Sequence, residues 1–421
     1  MSTLHSKYKA VRSMTRSLVA ALSVEDQMVQ SCPEASPVKW HQAHTTWFFE
    51  TFVLRPFLAH YKPYREEFNR LFNSYYVSLA EEIPDKKLRA SFSRPSLDEV
   101  LAFRAHVDQE MERLFTCSID GEISRRIMLG LNHEQQHQEL VLTDIKHAFL
   151  SNPLRPSYRP AVLPKESAHP APKLRWLNFE GGQTEIGCSP GAANDLPGFC
   201  FDNETPRHRI YLEPFQISSR LVSCREYLEF MSDDGYIRPG LWLSEGWEMV
   251  KQAGWEAPLY WERDSGDGTA WRVFTLRGWH GLSILLDTAV CHLSFFEADA
   301  FARWRGCRLP TEAEWEFVAS KEPLIGNLLD EDRLHPAVSS GEGVTQLFGD
   351  CWEWTASPYT GYPGFKPHPG ALGEYNGKFM SGQIISRGGS CVTPADHVRA
   401  TYRNFFPPVT RWQFTGIRLA V

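Results

Sequence analysis

A proline-rich segment, residues 151–173, separates two parts of this 421-residue chain that have different residue patterns. Proline fixes φ and removes a backbone N–H donor, so no helix can run through the segment. Its prolines are Pro153, Pro156, Pro160, Pro164, Pro170 and Pro172. We therefore predict a linker here, between a domain of residues 1–150 and a domain of residues 174–421. The length agrees with this division, because single hydrophobic cores rarely grow beyond ~250–300 residues.

The first part has the periodicity of amphipathic helices. Apolar residues recur at three- and four-residue spacing in the segments 7–30, 39–60, 64–80, 96–118 and 121–150. Ser96 and Glu99 have the spacing of a capping box, which marks the start of a helix. Helices of this number and length predict an antiparallel helical bundle, with four helices as its core.

The second part alternates short apolar runs with turns rich in Gly, Asp, Asn and Pro. Helices are predicted only over 224–233, 294–306 and 311–320, the last beginning with a capping box of Thr311 and Glu314. Tryptophan is concentrated here, since only two of the 14 tryptophans precede residue 176. A helical bundle followed by a mixed, loop-rich domain predicts the α+β fold class.

Composition excludes several classes of function. The net charge of −7 provides no basic surface for nucleic acid. The sequence contains no run of about 18 apolar residues that could span a membrane. The first residues, MSTLHSKYKAVRSMTRS, lack the apolar stretch of a signal peptide. Nine scattered cysteines without a CxxC pair indicate reduced thiols. We expect a cytoplasmic enzyme that acts on small molecules, and the sequence specifies no oligomeric state.

The sharpest chemical signal is His133-Glu134-x-x-His137. Residues four apart on a helix project from one face, about one turn apart, so their two imidazoles can hold one metal ion. His41 and His44 lie in another predicted helix and could supply a third ligand. Three imidazoles leave coordination positions open, which is typical of a catalytic site. By ligand type alone the metal could be zinc, iron or copper.

Two alternatives remain open at this point. The same residues fit H-E-x-x-H, in which Glu134 would be the general base of a zinc hydrolase. The glycine and third histidine of the metzincins do not follow, however. The other alternative is a module without catalysis, in which the second domain binds a small molecule and the helices only stabilise it.

The first part resembles the DinB-like N-terminal domain of the ergothioneine-biosynthesis sulfoxide synthases in the segments KWHQAHTTWFFETFVL, LFNSYY, SRPSLDEVLAFRAHV and NHEQQHQEL. The second part resembles their formylglycine-generating-enzyme-like, C-type-lectin-related domain in the segments RLPTEAEWE, GDCWEWT, RGGS and YRNFF. The matching segments occur in order and cover nearly the whole chain. We identify the chain as similar to this family.

The resemblance implies an enzyme that binds Fe(II) through His44, His133 and His137. It would use dioxygen to join a sulfur or selenium donor to C2 of hercynine (Nα-trimethylhistidine). Three neutral ligands keep the iron dipositive. Binding of the sulfur or selenium donor to the iron lowers the pKa of the donor, so that the donor reacts as the anion. The expected small-molecule partners are therefore hercynine, a thiol or selenosugar donor, and O2.

The resemblance also implies the remaining site residues. Gln136 would contact the hercynine imidazole, and Asn404 would hold its carboxylate. The trimethylammonium group cannot donate hydrogen bonds and requires aromatic faces. The candidates for these faces are Phe405, Phe406 and Trp412. The implied active-site tyrosines, which can donate a proton, are Tyr75 and Tyr76, with Tyr359 and Tyr362 in reserve.

The residues that follow the tyrosine pair differ from the cysteine-using branch of the family. That branch has a stretch similar to VGPRHPRPQRG, whose arginines hold the donor's carboxylate, whereas this chain has VSLAEEIPDKKLRA. Acidic side chains would repel a carboxylate but accept hydrogen bonds from sugar hydroxyls. The segment favours the selenoneine synthases, which use a selenosugar, with cysteine or γ-glutamylcysteine as the alternative donor. The expected donor-binding residues are Glu81, Glu82, Arg94 and Arg403, and Lys86, Lys87 or Arg89 could replace the missing arginines.

Overall fold

The computed structural model describes residues 3–79, 83–163, 170–189, 199–264, 266, 268, 270–374 and 376–421. The chain divides into two compact units. The first unit consists of Met1–Tyr158, Ser189–Asp202 and Lys366–Lys378. The second consists of Arg159–Cys188, Asn203–Phe365 and Phe379–Val421. The domain limits that we place at residues 150 and 174 stay a prediction.

The first unit is helical. Its long helices are α1 (Thr3–Val19), α2 (Val38–Phe49), α3 (Leu97–Phe115) and α4 (Gly121–Ser151). Shorter helical segments are Asp26–Met28, Glu50–Leu54, Arg55–Phe57, Glu67–Leu71, Lys86–Ser91 and Gly370–Glu374. Both α1 and α2 pack on α4, and α2 also packs on α3, so their apolar faces share one core. The helical N-terminal part is therefore confirmed. No helix in the described part of the chain, α4 included, is long and apolar enough to cross a membrane.

Local hydrogen bonds define where these helices begin. The predicted capping box is present at α3, where Ser96 and Glu99 each accept a hydrogen bond from the other's backbone N–H. Asp120 caps α4 by accepting a 2.8 Å hydrogen bond from the backbone N–H of Ile123. Every residue of α2 is buried, so its polar side chains need partners inside the protein.

The helix predicted over 64–80 is wrong in its extent. Among the described residues of this range, only Glu67–Leu71 are helical, and the tyrosine pair lies in an irregular segment. The side chain of Asn73 accepts a hydrogen bond from the backbone N–H of Tyr76 (3.0 Å) and donates one to its carbonyl oxygen (2.9 Å). This local turn replaces the hydrogen bonds that a continuing helix would form.

The helix predicted over 7–30 is also too long, because α1 ends at Val19. Beyond it, the side chains of Ser23 and Asp26 accept hydrogen bonds from each other's backbone N–H groups. Such reciprocal side-chain hydrogen bonds stabilise a turn and a new, short helical segment rather than a longer α1.

The second unit combines short helices and strands. Its helices are α5 (Cys224–Ser232), α6 (Ser244–Ala253), α7 (Phe295–Trp304) and α8 (Glu312–Ala319). Its 3₁₀ segments include Pro239–Leu241, Leu282–Ile284, Leu329–Glu331 and Ala395–His397. Its strands are β1 (Trp176–Phe179), β2 (Gly182–Ile186), β3 (His208–Leu212), β4 (Phe215–Ser218), β5 (Trp261–Arg263), β6 (Trp271–Thr275), β7 (Gly278–Gly281), β8 (Gly326–Asn327), β9 (Phe348–Gly349), β10 (Trp352–Pro358), β11 (Ile384–Arg387), β12 (Asn404–Phe406) and β13 (Thr415–Gly416). The predicted helices correspond to α5, α7 and α8, whereas α6 was not predicted.

The largest sheet of the second unit has the order β12-β11-β10-β13, with β10 and β13 parallel. Smaller sheets are β5-β6-β7, β1-β4, β2-β3 and β8-β9. Tryptophans join the largest sheet to neighbouring segments: the Trp315 indole N–H of α8 donates to Glu353 of β10 at 2.7 Å, and the Trp354 indole N–H of β10 donates to the carbonyl oxygen of Leu293 at 2.9 Å. The mixed architecture confirms the α+β fold class.

Candidate metal centre

Three histidines converge at one point in the first unit. One ring nitrogen of each of His44, His133 and His137 lies within 4.8 Å of those of the other two. Their helical spacing brings His133 and His137 together, with their Nε2 atoms 3.1 Å apart. His44 joins them because α2 packs on α4. The structure thus brings together the three residues that the resemblance implies as metal ligands.

Burial keeps these imidazoles neutral. It is the largest influence on His133 and lowers its pKa to about 3, although Glu134 partly offsets the effect. Burial also lowers the pKa of His44 and of His137 well below the ordinary value, and the neighbouring His133 lowers both further. A neutral imidazole offers one nitrogen lone pair, which is the form that binds a metal ion.

Hydrogen bonding determines which nitrogen of His44 is available. Its Nδ1 lies 2.6 Å from the carbonyl oxygen of Phe72, which can only accept, so Nδ1 carries the proton. Its Nε2 is buried and has no hydrogen-bond partner among the described residues. Trp40 and Trp47 stack on the ring at centroid distances of 4.4 and 5.5 Å and hold its orientation. A buried lone pair of this kind is costly unless an ion occupies it.

The donor set fits a divalent transition metal. Two nitrogen ligands at ~2.1 Å from one ion and at a right angle to each other are ~3 Å apart. The 3.1 Å between the Nε2 atoms of His133 and His137 agrees with this separation. Imidazole ligands suit iron, zinc and copper, and three protein ligands leave positions open for substrates. In the described part of the chain, no other group of His, Cys, Asp and Glu side chains converges in this way.

Glu134, the general base of the hydrolase alternative, is engaged by other residues. Its carboxylate accepts hydrogen bonds from Arg104 (2.5 Å), Thr15 (2.6 Å) and Arg12 (2.9 Å). Burial alone would raise the pKa of Glu134, but Arg104 and Arg12 outweigh it and lower the pKa to about 2. A carboxylate neutralised by two guanidinium groups is a poor base at neutral pH. The zinc-hydrolase alternative therefore loses its catalytic group.

The tyrosine pair and Gln136 also lie in the first unit. Tyr76 is buried against Trp47 and Phe52, with centroid distances of 5.5 and 5.2 Å. Tyr75 is half-buried and packs on Tyr76 at 4.8 Å, so it is the more accessible phenol. Gln136 is half-buried in α4 and immediately precedes the ligand candidate His137.

Arg89 is a buried cation that the sequence offered only as one of several candidates. Its guanidinium lies 3.4 Å from the centroid of the Trp40 ring and donates to the hydroxyls of Ser36 (2.8 Å) and Ser74 (3.0 Å). Burial lowers the pKa of Arg89 to about 9, and the nearby Tyr75 partly offsets this effect. Among the described residues, no carboxylate is in ion-pair contact with it, although Asp144 and Asp85 also raise its pKa.

The other donor-binding candidates of the first part are less informative. Glu81 and Glu82 lie outside the described residues. Arg94 is exposed, and its guanidinium donates to the carbonyl oxygen of Ser93 at 3.3 Å. Lys86 and Lys87 are exposed as well. Arg89 is therefore the buried basic residue of this segment.

Arg403 is committed to partners inside the second unit. Its Nε and Nη2 donate to the two oxygens of Glu312 at 2.9 and 3.0 Å, and Nη1 donates to the carbonyl oxygen of Asn203 at 2.7 Å. Tyr362 belongs to the same cluster, because the Arg403 guanidinium lies 3.9 Å from the centroid of the Tyr362 ring. Burial raises the pKa of Tyr362. These contacts, with a further hydrogen bond from Nη2 to the carbonyl oxygen of Thr360 at 2.8 Å, engage four of the five N–H donors of Arg403.

The remaining hercynine-binding candidates also belong to the second unit. Asn404, Phe405 and Phe406 form β12, and all three are half-buried. Phe405 stacks on Tyr359 with a centroid distance of 4.0 Å and an interplanar angle of 11°. Trp412 is half-buried, and its indole Nε1 has no hydrogen-bond partner in the described part of the chain.

Sequence reasoning missed Asp144 and left the role of His41 open. The Nε2 atom of His41 lies 3.1 Å from Asp144, and its Nδ1 atom lies 2.7 Å from Nδ1 of His137. His41 therefore contacts the outer nitrogen of the ligand candidate His137 and is not one of the three converging histidines. The signal was present in the sequence, because Asp144 follows His137 by two helical turns and shares its face of α4.

Known proteins resemble both parts of the chain. Residues 162–333 and 334–421 match the family described as "Sulfatase-modifying factor enzyme 1-like domain", and residues 7–141 match the DinB superfamily. Hercynine oxygenase of Mycolicibacterium smegmatis is 30% identical over 92% of this chain and 91% of its own length. Hercynine oxygenase of Mycobacterium tuberculosis is 35% identical over 52% of this chain and 55% of its own length. Formylglycine-generating enzyme of Streptomyces coelicolor is 30% identical over 51% of this chain and 80% of its own length.

Proposed function

Because the chain belongs to the hercynine oxygenase family, we propose that this oxidoreductase joins a selenium or sulfur donor to C2 of the hercynine imidazole, in a reaction that requires Fe(II) and dioxygen. The observation that carries the proposal is the convergence of three neutral imidazoles on one point. His44, His133 and His137 would hold the iron. Bound there, Fe(II) supplies a redox-active centre that can take dioxygen and the donor in its open positions.

Tyr75 is the proton donor in this proposal. A phenol that gives up its proton becomes an anion, and a nearby cation favours that form. Arg89 is a buried cation close enough to Tyr75 for each charge to influence the other. Tyr76 packs among aromatic rings and would support the position of Tyr75. We expect Tyr75→Phe to lower the rate ~10²-fold or more and Tyr76→Phe to lower it less.

The hercynine-binding residues that we propose are the ones that the resemblance implies. The Asn404 Oδ1 atom accepts a 2.9 Å hydrogen bond from the backbone N–H of Phe405, which leaves the amide Nδ2 to donate to the carboxylate. The trimethylammonium group would lie against aromatic faces. The candidates for these faces remain Phe405, Phe406 and Trp412.

Different observations support the two candidate donors. A selenosugar is our first proposal, because the acidic segment that contains Glu81, Glu82 and Asp85 suits hydroxyl groups and repels a carboxylate. Cysteine or γ-glutamylcysteine is the second candidate, because Arg89 is a buried cation that could pair with a donor carboxylate.

An anaerobic incubation with Fe(II), hercynine and one donor, followed by addition of O2, tests both proposals. Mass spectrometry should detect a C2-substituted hercynine with the selenosugar. Product only with a thiol donor would replace the first donor by the second, and Arg89→Gln should then raise the KM for that thiol. If no donor yields a C2-substituted product, the proposed function is wrong.

A further inference from the structure

We propose that Asp144 and His41 form a relay that fixes the metal-binding tautomer of His137. The inference rests on the proposed role of His137 as a metal ligand. It concerns how the protein prepares that ligand, and it assigns positioning roles to two residues that do not themselves contact the ion.

The direction of the hydrogen bonds follows from the chemistry of the partners. A carboxylate can only accept, so His41 carries its proton on Nε2, which lies 3.1 Å from Oδ2 of Asp144. In the proposed relay His41 is neutral, so its Nδ1 atom carries a lone pair. His137 is the donor across the contact of 2.7 Å between the Nδ1 atoms of His41 and His137. His137 is then protonated on Nδ1, and the lone pair of its Nε2 faces His133.

Asp144 is itself held in place. It is buried, and its Oδ2 atom accepts a second hydrogen bond of 2.9 Å from the backbone N–H of Ser36. The Ser36 hydroxyl in turn accepts a hydrogen bond from Arg89 at 2.8 Å. Two donors on one carboxylate oxygen fix the side chain of Asp144, so the orientation it gives His41 is well defined.

The supports of the ligand candidates differ in charge. The outer nitrogen of His44 donates to a neutral backbone carbonyl, whereas that of His137 donates to an imidazole backed by a carboxylate. Carboxylate-backed histidines are stronger metal donors, and loss of such outer partners typically weakens metal binding 10–100-fold. We therefore expect the relay to matter chiefly for the affinity of the site and for its ligand field.

Asp144→Asn tests the relay with almost no change in volume. The amide oxygen can take the place of Oδ2 and still accept from His41 and from the backbone N–H of Ser36, so the hydrogen bonds are kept while the negative charge behind His41 and His137 is removed. Anaerobic competition with a chelator should show ~10–100-fold weaker binding of Fe(II). Cobalt(II) substituted at the site should show an altered d–d absorption spectrum, which a purely structural role would not change.

A double-mutant cycle and a matched histidine complete the test. Because Asp144 acts through His41, the double variant His41→Phe/Asp144→Asn should bind Fe(II) no more weakly than His41→Phe alone. The control is His147→Gln in the same helix. The Nδ1 atom of His147 forms a 2.7 Å hydrogen bond with Ser31, outside the relay, so this variant should bind Fe(II) as tightly as the wild type. Should His41→Phe fail to fold, the nearly isosteric Asp144→Asn decides alone.

Wild-type affinity and an unchanged cobalt spectrum in Asp144→Asn would overturn the relay, as would additive effects in the double variant. These outcomes leave the metal site itself intact. A wild-type protein that binds no Fe(II) would instead overturn the proposed function, so the two failures are distinguishable.

Discussion

Helix α4 carries two buried polar clusters that differ in the hydrogen-bond partners of their side chains. The histidine cluster consists of His133 and His137 of α4 together with His44. The arginine–glutamate network consists of Glu134 of α4 together with Arg12 and Arg104. Both are deeply buried, since His133 is 2% exposed and Glu134 is 0% exposed. Burial alone therefore does not separate a structural cluster from a functional one.

The partners make the difference. In the network, Arg12 also pairs with Asp108 at 2.7 Å, so two guanidinium groups face two carboxylates and the charges balance inside the protein. In the histidine cluster the outer nitrogens of His44 and His137 have acceptors, whereas their inner nitrogens turn toward one another with lone pairs. In the network the charges neutralise one another, whereas a set of lone pairs that face one another is suited to bind an ion.

The largest expected effect is the loss of the metal from the histidine cluster. His133→Ala or His137→Ala removes one of three ligands, and we expect the metal content to fall from one per chain to nearly zero, with loss of activity. Elemental analysis after anaerobic reconstitution measures this content. His147→Gln is the matched control, and retention of bound metal in either alanine variant would contradict the ligand assignment.

The network should fail differently when Glu134 is changed. Glu134→Gln leaves two buried guanidinium groups without their shared carboxylate, so the free energy of unfolding should fall by ~3–5 kcal/mol. Urea denaturation measures the loss, and the metal content per folded chain should stay at the wild-type value. Unchanged stability combined with lost activity would instead support Glu134 as a catalytic base.

Acid should affect the two clusters in different pH ranges. His133 has a pKa of about 3 in the folded chain against an ordinary 6.5, so the unfolded chain takes up the proton first as the pH falls below 6.5. The free energy of unfolding then decreases, by at most ~1.4 kcal/mol per pH unit for this group. Glu134, with a pKa of about 2 against 4.5, contributes stability above pH 4.5 that is lost as the pH falls toward 2.

Unfolding of the metal-free protein between pH 8 and pH 2 measures this difference. His133→Ala should flatten the decline below pH 6.5, whereas Glu134→Gln should keep that slope and lower the whole curve. A variant at His133 that retains the full wild-type slope would show that this histidine is not the group responsible.

The smallest expected effect concerns the hydroxyl of Thr15, which also accepts a 3.0 Å hydrogen bond from Gln138. The Thr15 hydroxyl donates to Glu134 at 2.6 Å, and hydrogen bonds to charged groups contribute ~1.5–3 kcal/mol. Thr15→Val should lower the free energy of unfolding by ~1.5 kcal/mol and leave metal affinity unchanged. Thr45→Val is the control, because its hydroxyl donates only a weaker hydrogen bond of 3.3 Å to the carbonyl oxygen of Gln42. A weakened metal affinity in Thr15→Val would show that the clusters are coupled.

Features that depend on near neighbours in the chain could be predicted. The capping boxes at Ser96 and Thr311 are present as predicted, because each involves residues three apart. The helix over 64–80 could not be predicted correctly, because the side chain of Asn73 satisfies the backbone of Tyr76 and competes with the helix. Apolar periodicity does not register such competition.

By itself the sequence determined the helical and mixed parts, their order, and the presence of two histidines on one face of a helix, because these follow from local periodicity. Only the tertiary structure decided which polar groups end in a partner and which end in a lone pair. The contact between His41 and His137 joins residues 96 apart, and the contact between Arg12 and Glu134 joins residues 122 apart. Such pairs are selected by the packing of whole helices, which the spacing of residues within a single helix does not specify.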